Sequence, residues 1–316
     1  MEKTPVIAVV GPTASGKTSL AVEIAKRYNG EVVSADSMQI YKGMDIATAK
    51  PTAEEMQGIR HHLIDFVSPY EKYSVARYIE DATKAVEEIR SRAKLPVLCG
   101  GTGLYAESFL NNIRFEEEPD NEQMRTQLTA RLENEGAAKL LEELRKIDPE
   151  AAAGLHPNNA GRIIRALEVY YLTGETATQR RLRSVAEPSR YDVFWIALSF
   201  PDREYLYDRI NQRVDIMLEN GLEEEARDFL KNKQADTAAQ AIGYKELSGW
   251  FDGRICREEA IENLKRETRR YAKRQITWFK RNNNIHYIER NPSDSAQQIA
   301  EKAFILLEQS GFLKGV

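Results

Sequence analysis

The chain is poor in the residues that staple or metallate a fold. It contains 2 cysteines and 4 histidines in 316 residues. Cys99 and Cys256 are too far apart for metal-ligand spacing, and one pair makes no disulfide framework, so a reducing compartment fits. His61 and His62 are adjacent, but no third ligand has suitable spacing, and a packed strand end is the better reading. No apolar run approaches the roughly 20 residues that span a bilayer, so no membrane partner is expected. Internal repeats and low-complexity segments are lacking as well. Charge of one sign is not in excess. The formal net charge of −4 excludes a surface coated with positive charge but leaves room for a local basic groove. Met1-Glu2-Lys3-Thr4-Pro5 runs directly into the first apolar segment without a secretory leader, so a cytoplasmic location is expected.

What is present is a composition 42% hydrophobic and 30% charged, enough for a sizeable core in one large domain or two. Val6-Ile7-Ala8-Val9-Val10 leads into Gly11-Pro12-Thr13-Ala14-Ser15-Gly16-Lys17-Thr18, followed by a segment that reads as a helix. Strand, glycine-bounded loop and helix N-terminus are the parts of a phosphate-binding loop. In such a loop the backbone N–H groups of Gly11, Thr13, Ala14, Ser15 and Gly16 face phosphate oxygens. Lys17 adds a full charge, and the Thr18 hydroxyl can ligate a divalent metal, here Mg²⁺. A loop of this type most commonly holds a nucleotide.

A second buried strand, Glu31 to Ala35, ends at Asp36-Ser37-Met38-Gln39. Strand ends carry the working residues of open α/β sheets, so Asp36 is expected on the rim of the phosphate loop as an acid/base or metal-linked group; capping a turn is its plain alternative. His61 to Phe66 reads as a further strand, Ser74 caps a helix, and Leu95 to Cys99 reads as a buried strand that ends at Gly100-Gly101-Thr102. Cys99 lies in that apolar run as an inert core thiol. Strand and helix alternate as far as Leu110, which predicts a parallel sheet. Glu116 to Asp120 is an acidic break, and the sequence is then almost wholly helical to about Arg183. Strand character returns at Tyr191 to Leu198. The expected organisation is an α/β core, 1–115 and 190–316, interrupted by a helical insertion domain, 116–189.

Arg209 and Arg213 are four residues apart on one helical face and could close on a phosphate opposite the loop, unless they pair with Asp208 or Asp215. One long helix is predicted from Arg257 to Arg281. Its inward stripe is Ile261, Leu264, Thr268, Tyr271, Gln275 and Trp278. From Leu264 to Arg281, eight cations (Lys265, Arg266, Arg269, Arg270, Lys273, Arg274, Lys280, Arg281) face one acid, Glu267. A merely solvated face mixes both signs, so a polyanionic partner is preferred. Residues alone thus describe a transferase with a phosphorylated donor and a polyanionic acceptor. They leave open whether a phosphoryl group moves or the group attached to a pyrophosphate.

Gly11 to Thr18, Asp36 to Pro51, Gly100-Gly101-Thr102, Arg162 to Val169, Ala241 to Glu246 and Lys273 to Trp278 together resemble the bacterial tRNA dimethylallyltransferases (tRNA isopentenyltransferases). They stand in family order over nearly the whole chain. The resemblance implies a P-loop, nucleotide-kinase-like parallel sheet with an α-helical insertion that grips the tRNA anticodon stem-loop. It implies dimethylallyl diphosphate as donor and adenosine 37 as acceptor. Lys17, Thr18 with Mg²⁺, and Arg209 or Arg213 would hold the diphosphate. Asp36 would be the catalytic carboxylate, beside Lys17 and Thr102. Ser37, Met38, Gln39 and Thr102 would meet the RNA near the flipped base, and Arg162, Arg165, Arg269, Arg270, Lys273 and Arg274 would hold its backbone. Eukaryotic relatives carry a C-terminal zinc finger; no Cys/His cluster precedes Val316, so zinc is not expected. We expect a monomer. An adenylate isopentenyltransferase, a P-loop small-molecule kinase and a noncatalytic RNA-binding module are the rival readings.

Overall fold

A computed structural model describes residues 3–115, 121–185, 187–231 and 237–314. The acidic break at 116–120 lies outside the described residues. The chain divides into two compact units, Met1–Leu110 with Ser189–Val316, and Asn111–Pro188.

The first unit begins with β1 (Thr4–Val10), α1 (Lys17–Arg27), β2 (Gly30–Ser34), α2 (Ala53–Met56), β3 (His61–His62), α3 (Val75–Ser91), β4 (Leu95–Gly100) and α4 (Gly103–Leu110). The second unit contains α5 (Glu122–Glu135), α6 (Ala137–Ile147), α7 (Pro149–Ala153), α8 (Ala160–Thr173) and α9 (Ala177–Ser184). The chain then returns to the first unit through β5 (Tyr191–Ser199), α10 (Arg203–Glu219), α11 (Leu222–Leu230), α12 (Tyr244–Phe251), α13 (Arg257–Phe279), β6 (Ile285–Glu289) and α14 (Ala296–Ser310).

The strands form one six-stranded sheet in the order β3-β2-β4-β1-β5-β6, and every pairing is parallel. Alternation along β1 explains the two cores. Val6, Ala8 and Val10 pack on one face with Tyr78, Phe109 and Leu264, while Ile7 and Val9 pack on the other with Ile24, Ile299 and Leu307. Because all strands run the same way, their C-terminal ends share one rim, and the loops after β1, β2 and β4 gather there.

Two expected elements need correction. The strand predicted over His61 to Phe66 is two residues long, because Leu63 (φ 60°) and Asp65 (φ 58°) are left-handed and break extended backbone. The inward face of α13 buries Ala260, Leu264, Ala272, Gln275 and Phe279, so Ala272 and Phe279 join a stripe of which only Leu264 and Gln275 are fully buried. Ser74 does cap α3, its Oγ accepting from the Arg77 N–H at 3.2 Å.

The second unit has its own core of Leu128, Leu140, Leu141, Leu144, Ile163 and Leu167. Its buried Glu168 accepts from Arg125 at 3.1 Å and Arg165 at 2.7 Å.

Candidate active site

Below the rim lies a cavity of about 310 Å³. Thr13, Lys17 and Thr18 come to it from the phosphate loop, Asp36 to Gln39 from the end of β2, and Arg213 from α10. Tyr271, Arg274 and Gln275 of α13 also line it, and Val214, Met217, Leu222 and Leu264 give it an apolar wall. Of the predicted donor-binding residues, Thr13, Lys17, Thr18 and Arg213 therefore meet the Asp36 segment in one cavity, while Gly11, Ala14, Ser15, Gly16 and Arg209 do not line it.

The phosphate loop is shaped by groups that grip its carbonyls. Lys17 Nζ donates to Pro12 O at 3.2 Å, Arg209 Nε to Ala14 O at 2.9 Å and Arg290 Nη1 to Ser15 O at 2.9 Å. With carbonyls turned toward cations, N–H groups of the loop can face an anion, but that of Thr13, expected among them, donates to Gln275 Oε1 at 2.8 Å instead. Gly16 has φ +96°, a conformation that favours glycine, and a Cβ there would stand 2.1 Å from Arg290 Nη1, which would have to move aside. Gly11 is left-handed too, at φ +136°. Ser15 is fully buried, and among the described residues its Oγ has no hydrogen-bond partner. An orphaned hydroxyl inside an N–H-lined loop fits an anionic ligand.

Arg209 and Arg213 differ in role. Arg209 is committed to the Ala14 carbonyl, while Arg213 faces the cavity beside Lys17 and Asp36. Neither takes the expected alternative partner; Asp215 pairs with Lys265 at 2.7 Å. Burial lowers the pKa of both Lys17 and Arg213, and each is lowered further by a neighbouring cation, despite the opposing field of Asp36. Two cations pressed together without a saturating counter-charge favour a bound anion.

Asp36 caps the turn and lines the cavity. Its Oδ1 accepts from the Met38 N–H at 2.9 Å and the Gln39 N–H at 3.3 Å, holding the turn after β2. Among the described residues Oδ2 has no hydrogen-bond partner, so a carboxylate oxygen is left for a substrate proton. Thr102 Oγ1 accepts from the Ser37 N–H at 3.0 Å and donates to Ser37 Oγ at 3.3 Å, tying the ends of β4 and β2. Gln39 is occupied within the protein: Nε2 donates to Thr48 O and Ala49 O, and Oε1 accepts from Ser34. It holds the backbone of Thr48 and Ala49 while lining the cavity. Met38 packs on the main core. Cys99 reaches the cavity edge, and burial raises its pKa to about 11, so it is an inert thiol at neutral pH.

On α13, Arg269 donates to Asn211 Oδ1 at 2.6 Å, Arg270 to Glu267 at 2.6 Å, and Arg274 lies over the Tyr271 ring. Lys273 is exposed. Arg162 (exposed) and Arg165 belong to the helical unit, where Arg165 pairs with Glu168. The paired histidines hold no metal position: His62 Nε2 meets Glu31 at 2.7 Å, and Asp65 pairs with Lys50. Among the described residues no group of three or more His, Cys, Asp or Glu could hold a metal. Mg²⁺ does not need one, since it binds through one or two protein oxygens with phosphates and water.

Gln275 and Arg290 were not expected to hold the phosphate loop. Gln275, 4% exposed, accepts from the Thr13 N–H at 2.8 Å and donates to Gly101 O at 3.0 Å, joining the phosphate loop to the β4 loop. A polar residue on a helix's inward stripe was the available signal. Arg290 follows β6 directly, and its position at a strand end was its signal.

This is an α/β fold with a phosphate-loop motif and a carboxylate, Asp36, lining the same cavity as Lys17 and Arg213. The sequence model of the IPP transferase family matches residues 39–282. The tRNA dimethylallyltransferase of Acetivibrio thermocellus is 47% identical over 296 residues, covering 93% of this chain and 94% of that protein. That of Bacillus subtilis is 46% identical over 291 residues, 92% of each. Among solved structures, the tRNA isopentenylpyrophosphate transferase of Bacillus halodurans aligns with a TM-score of 0.73 at 45% identity, covering 99% of both chains. A eukaryotic dimethylallyltransferase acting on tRNA aligns with a TM-score of 0.81 at 30% identity, covering 98% of this chain and 80% of that one. The chain belongs to the IPP transferase family.

Proposed function

We propose that this protein transfers the dimethylallyl group of dimethylallyl diphosphate to the exocyclic N6 amino group of adenosine 37 in tRNA. The observation that carries the reading is the free Oδ2 of Asp36 in one cavity with Lys17 and Arg213.

The C–O bond to the diphosphate breaks as a bond from N6 to the allylic carbon forms. Pyrophosphate leaves with the bonding electrons, and the amino proton passes to Asp36. An allylic cation is delocalised, so the protein's main work is on the leaving group. The loop N–H groups, Lys17 and Arg213 stabilise the charge that grows there. The Thr18 hydroxyl would hold Mg²⁺, which supplies further positive charge to the diphosphate when bound. The wall of Val214, Met217, Leu222 and Leu264 gives the five-carbon group an apolar surface. Asp36 orients N6 through its hydrogen bond and accepts the proton as N6 becomes bonded to carbon. A stacked anticodon-loop base reaches such a cavity only when flipped. The helical unit 111–188, with Arg162, and the cations of α13 would hold the stem-loop backbone.

Incubation with labelled dimethylallyl diphosphate, Mg²⁺ and tRNA bearing an adenosine-rich anticodon loop tests the assignment. Label is expected in the tRNA. Prenylation of AMP alone, or phosphate transfer from ATP without prenylation, would overturn it.

A further inference from the structure

The cavity wall also includes Ala47 and Thr48. They belong to the irregular segment that follows the Asp36 turn, where no helix or strand fixes the backbone. Turn bonds from Ala49 N to Ile46 O and from Lys50 N to Asp45 O hold it locally, as do Lys50 Nζ on Tyr41 O at 2.6 Å and Thr48 Oγ1 on Met44 O, and two further side chains tie it to its surroundings. Gln39 donates to the carbonyls of Thr48 and Ala49 at 3.2 and 3.0 Å. Glu225, in α11 and distant in sequence, takes the N–H side. Its Oε2 accepts from Asp45 N and Ile46 N, both at 2.8 Å, and its Oε1 accepts from Ala47 N at 2.9 Å and Tyr244 Oη at 2.9 Å.

Three consecutive backbone N–H groups converging on one carboxylate form an anion nest occupied by the protein itself. Charge-assisted bonds of this kind are about twice as strong as neutral ones. The fourth bond couples the nest to α12: Tyr244 is buried, stacks on Phe229 at 4.1 Å, and follows Gly243, which lines the same cavity. Gly243 has φ +122°, and a Cβ there would approach Ala47 Cβ to 3.2 Å, so the two segments touch without spare room. Leu222, at the start of α11, packs close to Gly243 and also lines the cavity. One carboxylate thus sets the spacing between the 45–49 segment and the start of α12.

We infer that Glu225 is a positioning residue for the acceptor base: it acts through Ala47, Thr48 and the Gln39 amide to fix the wall the base must meet. This rests on the tRNA prenylation reading for what enters the cavity. Glu225 does not touch the phosphate loop, whose carbonyls are held by Lys17, Arg209 and Arg290. Loss of Glu225 should therefore divide the two substrates.

The test is Glu225→Gln in the full chain. Glutamine keeps one acceptor oxygen and turns an N–H₂ group toward donors that are already N–H or O–H. Amide exchange at Asp45, Ile46 and Ala47 is expected to speed up about tenfold or more, with exchange at Thr13 unchanged. KM for tRNA should rise about tenfold while kcat falls less than about threefold, and affinity for inorganic pyrophosphate should stay within about twofold. Tyr244→Phe, which removes one of the four bonds, should raise KM for tRNA about threefold and covers the case in which Glu225→Gln does not fold. Unchanged exchange at 45–47, an unchanged KM for tRNA, or equal losses in tRNA and pyrophosphate binding would each overturn the inference. Wild-type protein that prenylates no tRNA while the exchange effect stands would instead overturn the function reading alone.

Discussion

Glu31 and Asp36 stand at opposite ends of the same strand, β2, and their carboxylates are treated in opposite ways. Glu31, with a side chain 3% exposed, is saturated: Arg92 reaches it at 2.8 Å, Lys94 at 3.0 Å and His62 at 2.7 Å. Burial alone would raise its pKa, but those three partners outweigh it and hold the group at about 2. Asp36 spends one oxygen on two backbone N–H groups, and among the described residues the other has no hydrogen-bond partner. The nearby cations Lys17 and Arg213 are likewise left partly uncompensated. A saturated buried charge is a structural joint, whereas an unsaturated one is held ready for a ligand. Sequence position favours the second role at the C-terminal ends of parallel strands and the first at their N-terminal ends.

The largest effect should come from the unsaturated end. Asp36→Asn retains an Oδ1 that can accept from Met38 and Gln39 while removing the proton acceptor. Transfer to tRNA should fall about 10³-fold in kcat, with the melting temperature within about 2 °C. Asp36→Ala should lose similar activity and also about 1–2 kcal/mol of stability, because the two turn bonds go with it. Substantial turnover in the asparagine variant, measured by single-turnover prenylation, would reduce Asp36 to a turn cap like any other.

At the saturated end the pattern should reverse. Glu31→Gln is expected to cost about 3 kcal/mol of stability and leave kcat unchanged. The sign in pH follows from the depressed pKa. The contribution is complete above the ordinary carboxylate value of 4.5 and disappears as pH falls through the folded value of about 2. Urea unfolding of both proteins at stepped pH should therefore give a stability gap that is constant near neutrality and closes between pH 4.5 and 2. A gap that does not close would mean the glutamine is simply a poor fit.

The same distinction applies to the arginine pair on α10. Arg213→Met should lower kcat/KM about 10²-fold, the loss expected for one preorganised donor at a leaving group. Arg209→Met, which loses the grip on Ala14 O and the contact over the Tyr205 ring, should lower it about tenfold. Equal effects, read from steady-state kinetics with dimethylallyl diphosphate varied, would remove the difference between gripping the loop and facing the ligand.

Much of this was legible from residue order. The phosphate loop, the Asp36 strand end, the parallel sheet and the helical stretch all follow from local period and short motifs. The short β3 was not, because Leu63 and Asp65 adopt left-handed backbone that no apolar pattern announces. Nor were Arg290 and Glu225 placed at the site. Each acts on backbone atoms far away in sequence, Ser15 O and the N–H groups of 45–47, and such pairings exist only once the fold brings α11 and β6 to the rim. The charge count of α13 was visible, but the partition of its cations into engaged and free was not.

That partition gives the smallest and most discriminating effect. Lys265 is already paired with Asp215 at 2.7 Å, and Arg270 with Glu267 at 2.6 Å. Lys273 and Lys280 are exposed and have no ion-pair partner among the described residues. A cation that neutralises a phosphate releases a counterion, and its removal flattens the dependence of log K on log salt by about 1. Lys273→Gln with Lys280→Gln should thus flatten the slope for anticodon stem-loop RNA by about 1–2 and weaken binding a few-fold at about 0.15 M salt. Lys265→Gln should change the slope by less than about 0.3, since its charge already has a partner. Filter binding across a salt series separates the two outcomes. Equal slopes for both variants would mean that the exposed face of α13 is solvated rather than bound, and that the RNA backbone is held elsewhere.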